Sequence, residues 1–156
     1  MYIDDIYENS VTLLKKLIET PSLSGHEEGA AKVIRDHLSD AGISFKRLKN
    51  NTWSFNQHWD DCKPVLLLNS HIDTVKPVDG WTVDPFSAIV DDEKLIGLGS
   101  NDAGGPLVSL LGVFNYFYHR DDLPFNLIFA ATAEEESWFE YGNDLMTSRT
   151  RNVFKC

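Results

Sequence analysis

Apolar positions recur at steps of three and four along the first forty residues, and then the period changes. Ile3, Tyr7, Val11, Leu14 and Ile18 share one helical face, so the spacing predicts a helix from about Asp4 to Glu19, stopped by Thr20-Pro21. After "PSLSGHEE", Ser24 with Glu27 three residues on is a capping-box pattern. It predicts a second helix that buries Ala30, Ile34, Leu38 and Ala41 and ends on Gly42 as a C-terminal cap. Ile43, Phe45 and Leu48 then suggest a strand, and "NTWSFNQH" its partner. "PVLLLN", residues 64–69, is apolar almost throughout, as expected of a central strand covered on both faces. "FSAIVDDEKLIGLG" reads as a hairpin turning at Asp91-Asp92. "GGPLVSLLGVFNYFYHR" reads as a helix with Leu107, Leu111, Phe114 and Tyr118 on one face, and "FNLIFAAT", residues 125–132, as a second buried strand. Helices alternating with buried strands predict an α/β fold. The expected form is three-layer, a mostly parallel central sheet with helices on both faces, with "PVLLLN" and "FNLIFAAT" as parallel interior strands. Residues 137–156 show no clean period; "YGND" suggests a turn, and the end is basic through Arg149, Arg151 and Lys155.

A chain of 156 residues, 42% of them hydrophobic, is long enough for one domain with a real core. Twenty-four acids against 14 bases give a net charge of -10, which argues against nucleic acid and anionic membrane surfaces as partners. The two cysteines, Cys62 and Cys156, form no C-x-x-C pair. A structural zinc site of that type is thereby excluded, a disulfide framework is not expected, and the expected compartment is the cytoplasm. "MYIDDIYENS" is acidic and lacks the apolar core of a secretory signal, and no apolar run approaches a membrane span.

Three polar clusters fall at the predicted element boundaries: His71 and Asp73 after one buried strand, Asp102 before a helix, and Glu134, Glu135 and Glu136 after the other buried strand. Ligands of open α/β sheets bind beyond the carboxyl ends of the strands, and parallel neighbours would bring these ends together. Imidazole and carboxylate are usual ligands of catalytic zinc. In H-x-D the carboxylate can bind metal or accept the other ring N–H. In a run of acids, one can bind metal while its neighbour takes a proton from water. Each cluster also has a plain reading: a hydrogen-bonded pair, a helix N-cap, and a solvated turn or first helical turn. His26, His37, His58 and His119 read as surface or core-edge residues.

In "SHIDTV", "GLGSNDAGG" and "TAEEE", together with the earlier "TPSLSGHE", the chain resembles a dinuclear-zinc amidohydrolase and peptidase family. That family includes acetylornithine deacetylase, succinyl-diaminopimelate desuccinylase and glutamate carboxypeptidase. "HIDTVKPVDGWTVDPF" looks most like the acetylornithine deacetylase-type members, which implies amino-acid biosynthesis, specifically of arginine. The resemblance covers roughly residues 5 to 136. It implies a zinc-peptidase-like catalytic domain with two zincs, cobalt being a possible substitute. His71 would ligate one zinc, oriented by Asp73; Asp102 would bridge both; Glu136 would ligate the second. Glu134 aligns with an Asp position of the family, and Glu135 becomes the general base that activates the attacking water. The implied reaction removes an acyl group from a small-molecule N-acyl amino acid, and the full-length relatives are expected to be homodimers.

The family pattern often continues D-x-K-G after the bridging Asp; here "DAGG" puts Gly104 at the lysine position. The family also uses later ligands and an inserted dimerisation domain. Residues 1–136 therefore read as the N-terminal part of the catalytic domain and 137–156 as an atypical tail, with the later parts absent. Two alternatives stay open: a catalytically inactive fragment or pseudo-enzyme with weak metal or partner binding, and a peptidase or desuccinylase.

Overall fold

A computed structural model describes residues 2–136. Along the chain run α1 (Ile3–Ile18), α2 (Glu28–Asp40), β1 (Lys46–Leu48), β2 (Asn51–Phe55), β3 (Val65–His71), β4 (Ile89–Asp91), β5 (Lys94–Ile96), α3 (Gly105–Phe117) and β6 (Asn126–Thr132). An irregular turn, Ser100–Gly104, leads into α3. The tail 137–156, and with it the expected "YGND" turn and domain boundary, lies outside the described residues.

Helix α1 carries Asp4 and Asp5 in its first turn and Lys15 and Lys16 in its last, the charge order that the helix dipole favours. Its expected face holds only in its second half. Ile18 is buried and Leu14 packs against the core as expected, whereas Ile3 and Tyr7 are 75% and 70% exposed and Leu13 is buried as well. Helix α3 approaches α1 closely: a Cβ on Gly112 would sit 2.9 Å from Ile6 Cγ2 and 3.1 Å from Ser10 Oγ. The missing side chain lets α1 seat on α3 through Ile6 and Ser10.

Helix α2 ends as expected. Gly42 takes φ +69°, its N–H bonds to the Ser39 carbonyl at 2.9 Å, and the Ile43 N–H bonds to the Leu38 carbonyl at 2.8 Å. This is a Schellman closure. Ala30, Ile34 and Leu38 are buried, but Ala41 is exposed. The expected capping box does not form: Glu27 sits at the N-cap without a side-chain cap bond, and Ser24 is engaged elsewhere.

Among the described residues, four strands form one sheet in the order β1-β2-β6-β3. The β1–β2 and β2–β6 pairings are antiparallel, and β3–β6 is parallel. The fold is α/β as expected, but the sheet is mixed instead of mostly parallel. Strand β6 is buried along its whole length. Strand β3 corrects the expectation of an interior position: it lies at the edge of the described sheet, with Leu66 and Leu67 47% and 41% exposed. A continuous apolar run marks surface that favours burial, but it cannot specify which neighbour covers it. Leu68, in register with Phe129, is the leucine that joins the core.

One core cluster joins Leu13 of α1, Ile34 and Leu38 of α2, and Leu107, Leu111 and Phe114 of α3 to Leu127, Phe129 and Ala131 of β6. The described helices thus cover one sheet face. Hairpin β4–β5 turns one residue later than expected, at Asp92-Glu93. Their φ values of 44° and 62° are those of a two-residue hairpin turn with left-handed positions. Among the described residues no helix is long and apolar enough to cross a membrane.

Phe129 is fully buried on the inner strand and packs against the ring of Phe114 at a centroid distance of 5.9 Å. Phe129→Ala is expected to cost about 3–5 kcal/mol of stability, read as a lowered urea midpoint; a midpoint equal to the parent's would refute this packing.

Candidate metal centre

Parallel pairing of β3 with β6 sets the site. The register aligns His71 with Thr132, and the Ile72 N–H bonds to the Thr132 carbonyl at 2.8 Å. The residues after both strands therefore emerge side by side: Asp73 from one, and Ala133 through Glu136 from the other. The Ala133 N–H bonds to Asn51 Oδ1 at 3.2 Å, which fixes the chain just before the acids.

Asp73 is 1% exposed. Its Oδ1 accepts the Glu135 N–H at 3.1 Å and lies 3.4 Å from His71 Nδ1. Its Oδ2 accepts the Ser24 hydroxyl at 2.7 Å and the Glu136 N–H at 2.9 Å. His71 Nδ1 also lies 3.1 Å from the Asp73 main-chain carbonyl. The other ring nitrogen, Nε2, faces the opening, 3.1 Å from Asp102 Oδ1 and 3.9 Å from Glu135 Oε2.

Asp102 stands in the irregular turn before α3 and makes no helix cap; its side chain is 76% exposed. The turn begins at Gly99, where φ is +74° and a Cβ would lie 2.6 Å from Thr74 Cγ2, so both conformation and space require glycine. A Cβ on Gly104 would lie 2.6 Å from the Gly99 carbonyl and 2.6 Å from Leu14 Cδ1. The lysine that the family often carries here would not fit without a shift of this turn. The three glutamates are not a helical turn: Glu134 has φ +64°, and Glu135 and Glu136 form a turn whose amides point at Asp73.

One donor atom from each of His71, Asp102 and Glu136 lies within 4.8 Å of the others. An imidazole nitrogen and two carboxylates at that separation suit a borderline divalent cation such as zinc. Glu135 stands at the same opening, and Asp73 lies beneath it. Ser24 was missed in the sequence because its spacing to Glu27 matched a capping box. His26 and His58 are exposed, as expected.

The electrostatics of the metal-free chain follow from this packing. The hydrogen bond to Asp73 pushes the His71 imidazolium up to about 9 against the opposing effect of burial, and Asp102 adds to it. Burial pushes the Asp73 carboxyl upward, but the bonds from His71, the Glu136 amide, Ser24 and the Glu135 amide outweigh it and hold Asp73 at about 2. Burial raises Glu136, and the charge of Asp102 raises it further. The neighbouring charges of Glu135 and Asp73 act on Glu136 in the same direction, and that of His71 opposes them.

The class so defined is an α/β protein with a candidate divalent-metal centre at the carboxyl ends of its parallel strands. The chain belongs to peptidase family M20/M25/M40, whose sequence profile matches residues 67–154. A succinyl-diaminopimelate desuccinylase from Buchnera aphidicola subsp. Baizongia pistaciae is 30% identical over 158 residues, 94% of this chain and 41% of that relative. A second one, from Methylorubrum extorquens, is 32% identical over 136 residues, 81% of this chain and 35% of its own length. Human carnosine dipeptidase 1 shares the fold with a TM-score of 0.74 at 22% identity, over 98% of this chain and 38% of that one. An M20 family metallo-carboxypeptidase from Sulfolobus solfataricus does so with a TM-score of 0.74 at 21% identity, over 92% and 35%. The chain thus spans well under half the length of the curated relatives it matches.

The His71–Asp73 pair gives the metal-free chain a defined pH response. His71 is raised from 6.5 to about 9, so its contribution is complete below pH 6.5 and is lost as pH rises through 9. Asp73 is lowered from 3.8 to about 2, so its contribution is complete above pH 3.8 and is lost as pH falls through 2. The two describe one ion pair, which is fully formed between roughly pH 4 and 6.5. With chelator present, urea midpoints of the parent should fall between pH 6.5 and 9 more steeply than those of His71→Gln; parallel curves would contradict the pairing.

Proposed function

We propose that this chain carries the metal-holding and proton-transferring part of an amide hydrolase acting on small N-acyl amino acids or short peptides. The observation that carries the reading is the convergence of His71, Asp102 and Glu136 on one opening, with Glu135 beside them. His71 and Asp102 would hold one divalent metal, and Asp102 and Glu136 a second, zinc being the metal this donor set suits. When bound, two such ions supply Lewis-acid polarisation of the scissile carbonyl and acidify the attacking water.

The chain's own residues supply the remainder. Asp73, buried and already hydrogen-bonded, holds the His71 ring so that Nε2 points outward. Glu135 has its main chain tied to Asp73 and its exposed carboxylate free to approach a substrate. It is the group suited to take a proton from water and deliver it to the leaving amine. Glu136 has its amide on the same Asp73 and its carboxylate among the metal donors. One buried carboxylate thus divides the work of two adjacent glutamates.

The acyl group is the finer question. "HIDTVKPVDGWTVDPF" supports N-acetylornithine-type substrates, whereas the curated relatives described above are named for desuccinylation. Divided between two metals with Asp102 shared, the three described donors would give each metal two, against the three usual at a catalytic zinc. That count favours a second reading, in which this chain alone holds metal weakly and is catalytically silent.

The test is dialysis against micromolar zinc with elemental analysis, followed by assays on N-acetylornithine, N-succinyl-diaminopimelate and a dipeptide. Glu135→Gln should retain metal and lose turnover by about 10²–10⁴-fold, while Glu136→Gln should release metal. Metal retention without hydrolysis of any probe selects the second reading. A parent that retains no metal, or a Glu135→Gln variant with full turnover, sinks the first.

A further inference from the structure

We infer that Ser24 is a positioning residue for this centre: its hydroxyl sets the rotation of the Asp73 carboxylate and, through it, the Glu135–Glu136 turn and the His71 ring. The inference rests on the metal reading above and deepens it. A carboxylate oxygen has two lone-pair sites. Asp73 Oδ2 spends its two on the Ser24 hydroxyl at 2.7 Å and the Glu136 N–H at 2.9 Å. Oδ1 takes the Glu135 N–H at 3.1 Å and faces the imidazole, whose Nδ1 is 3.4 Å away and is shared with the Asp73 main-chain carbonyl at 3.1 Å. Without the hydroxyl, Oδ2 is one donor short in a buried place, and the carboxylate can turn away from the amides it holds.

The hydroxyl is delivered by a braced segment. The Ser24 N–H bonds to the Thr74 carbonyl at 3.3 Å, and the Thr74 N–H bonds to the Ser22 carbonyl at 2.9 Å. Leu23 and Thr74 thus form a parallel bridge directly after the strand end that bears His71. Glu27, fully buried, accepts the Gly25 N–H and Asn50 Nδ2, the latter at 2.9 Å. Gly25 takes φ +84°, which lets the segment fold back on itself. Ser24 and Glu27 thus act apart: Glu27 fixes the segment, and Ser24 fixes Asp73.

Amide hydrogen exchange of the whole metal-free chain by NMR is the test, with cobalt(II) affinity as a second arm. Ser24→Ala should lower protection of the Glu135 and Glu136 amides roughly tenfold or more and leave the Phe129 amide in β6 unchanged. Ser24→Thr, which keeps the hydroxyl, should restore protection. Cobalt affinity of Ser24→Ala should fall about 10–100-fold, as for other residues that orient metal ligands. Ser24→Cys, similar in size but a weak donor, replaces the alanine variant if that does not fold. Unchanged protection at Glu135 and Glu136, equal loss in Ser24→Thr, or loss spread through β6 would each overturn the inference. A parent chain that binds no cobalt sinks the metal reading, and the exchange arm still decides whether Ser24 sets Asp73.

Discussion

A carboxylate removed from water persists as a charge only where hydrogen bonds and an opposite charge replace its hydration. Asp73 meets that condition with donors from three separate segments: Ser24 in the segment between α1 and α2, His71 at the end of its own strand, and the amides of Glu135 and Glu136 beyond β6. Each of these donors is satisfied at one point, so the segments cannot move independently. The sheet brings the strand ends together, and Asp73 locks what extends beyond them.

The layout has a dry side and a wet side. Beneath the His71 ring lies a fully satisfied anion; above it Asp102 and Glu135 stand largely in solvent. The imidazole therefore passes the influence of a buried charge outward to an exposed acidic opening. Water screens the exposed carboxylates from one another, but their spacing is set by the chain and not by their repulsion. A small divalent ion is the natural counter-charge for such a cluster, because it relieves several carboxylates at once.

Much of this was legible in the residues. The periodicities of α2 and α3 were legible, apart from Ala41 at the end of α2, because Ile34, Leu38, Leu107, Leu111 and Phe114 each face a core that lies on one side of the helix. The parallel relation of β3 and β6 was legible because a helix separates two apolar strands. The convergence of the three clusters was expected from their places at element ends, the choice of Glu136 among the three glutamates came from the family resemblance, and donor atoms of His71, Asp102 and Glu136 do lie within 4.8 Å of one another. Three things were not legible. The close seating of α1 on α3 at Ile6 and Ser10 depends on the absent side chain of Gly112, which lies about a hundred residues away. The edge position of β3 depends on which strand lies beside it, information that "LLL" does not carry. The partner of Ser24 depends on a contact 49 residues distant, while a local capping pattern offered a nearer explanation.

The place of β3 at the margin of the described sheet has a consequence for local opening. Edge strands open at lower free-energy cost than interior ones, since one side of their backbone ladder is unmade. Here the margin bears His71 and is tied to Glu135 across 62 residues of intervening chain. Such a contact has no local turn to re-form it quickly, so each opening must be undone by long-range closure. Fraying of this margin of the described sheet would therefore also undo the placement of His71 beside Asp102 and Glu135. A cation held by His71, Asp102 and Glu136 would tie the end of β3 to the turn before α3 and to the segment beyond β6, and its occupancy would slow exchange at that end of the described sheet.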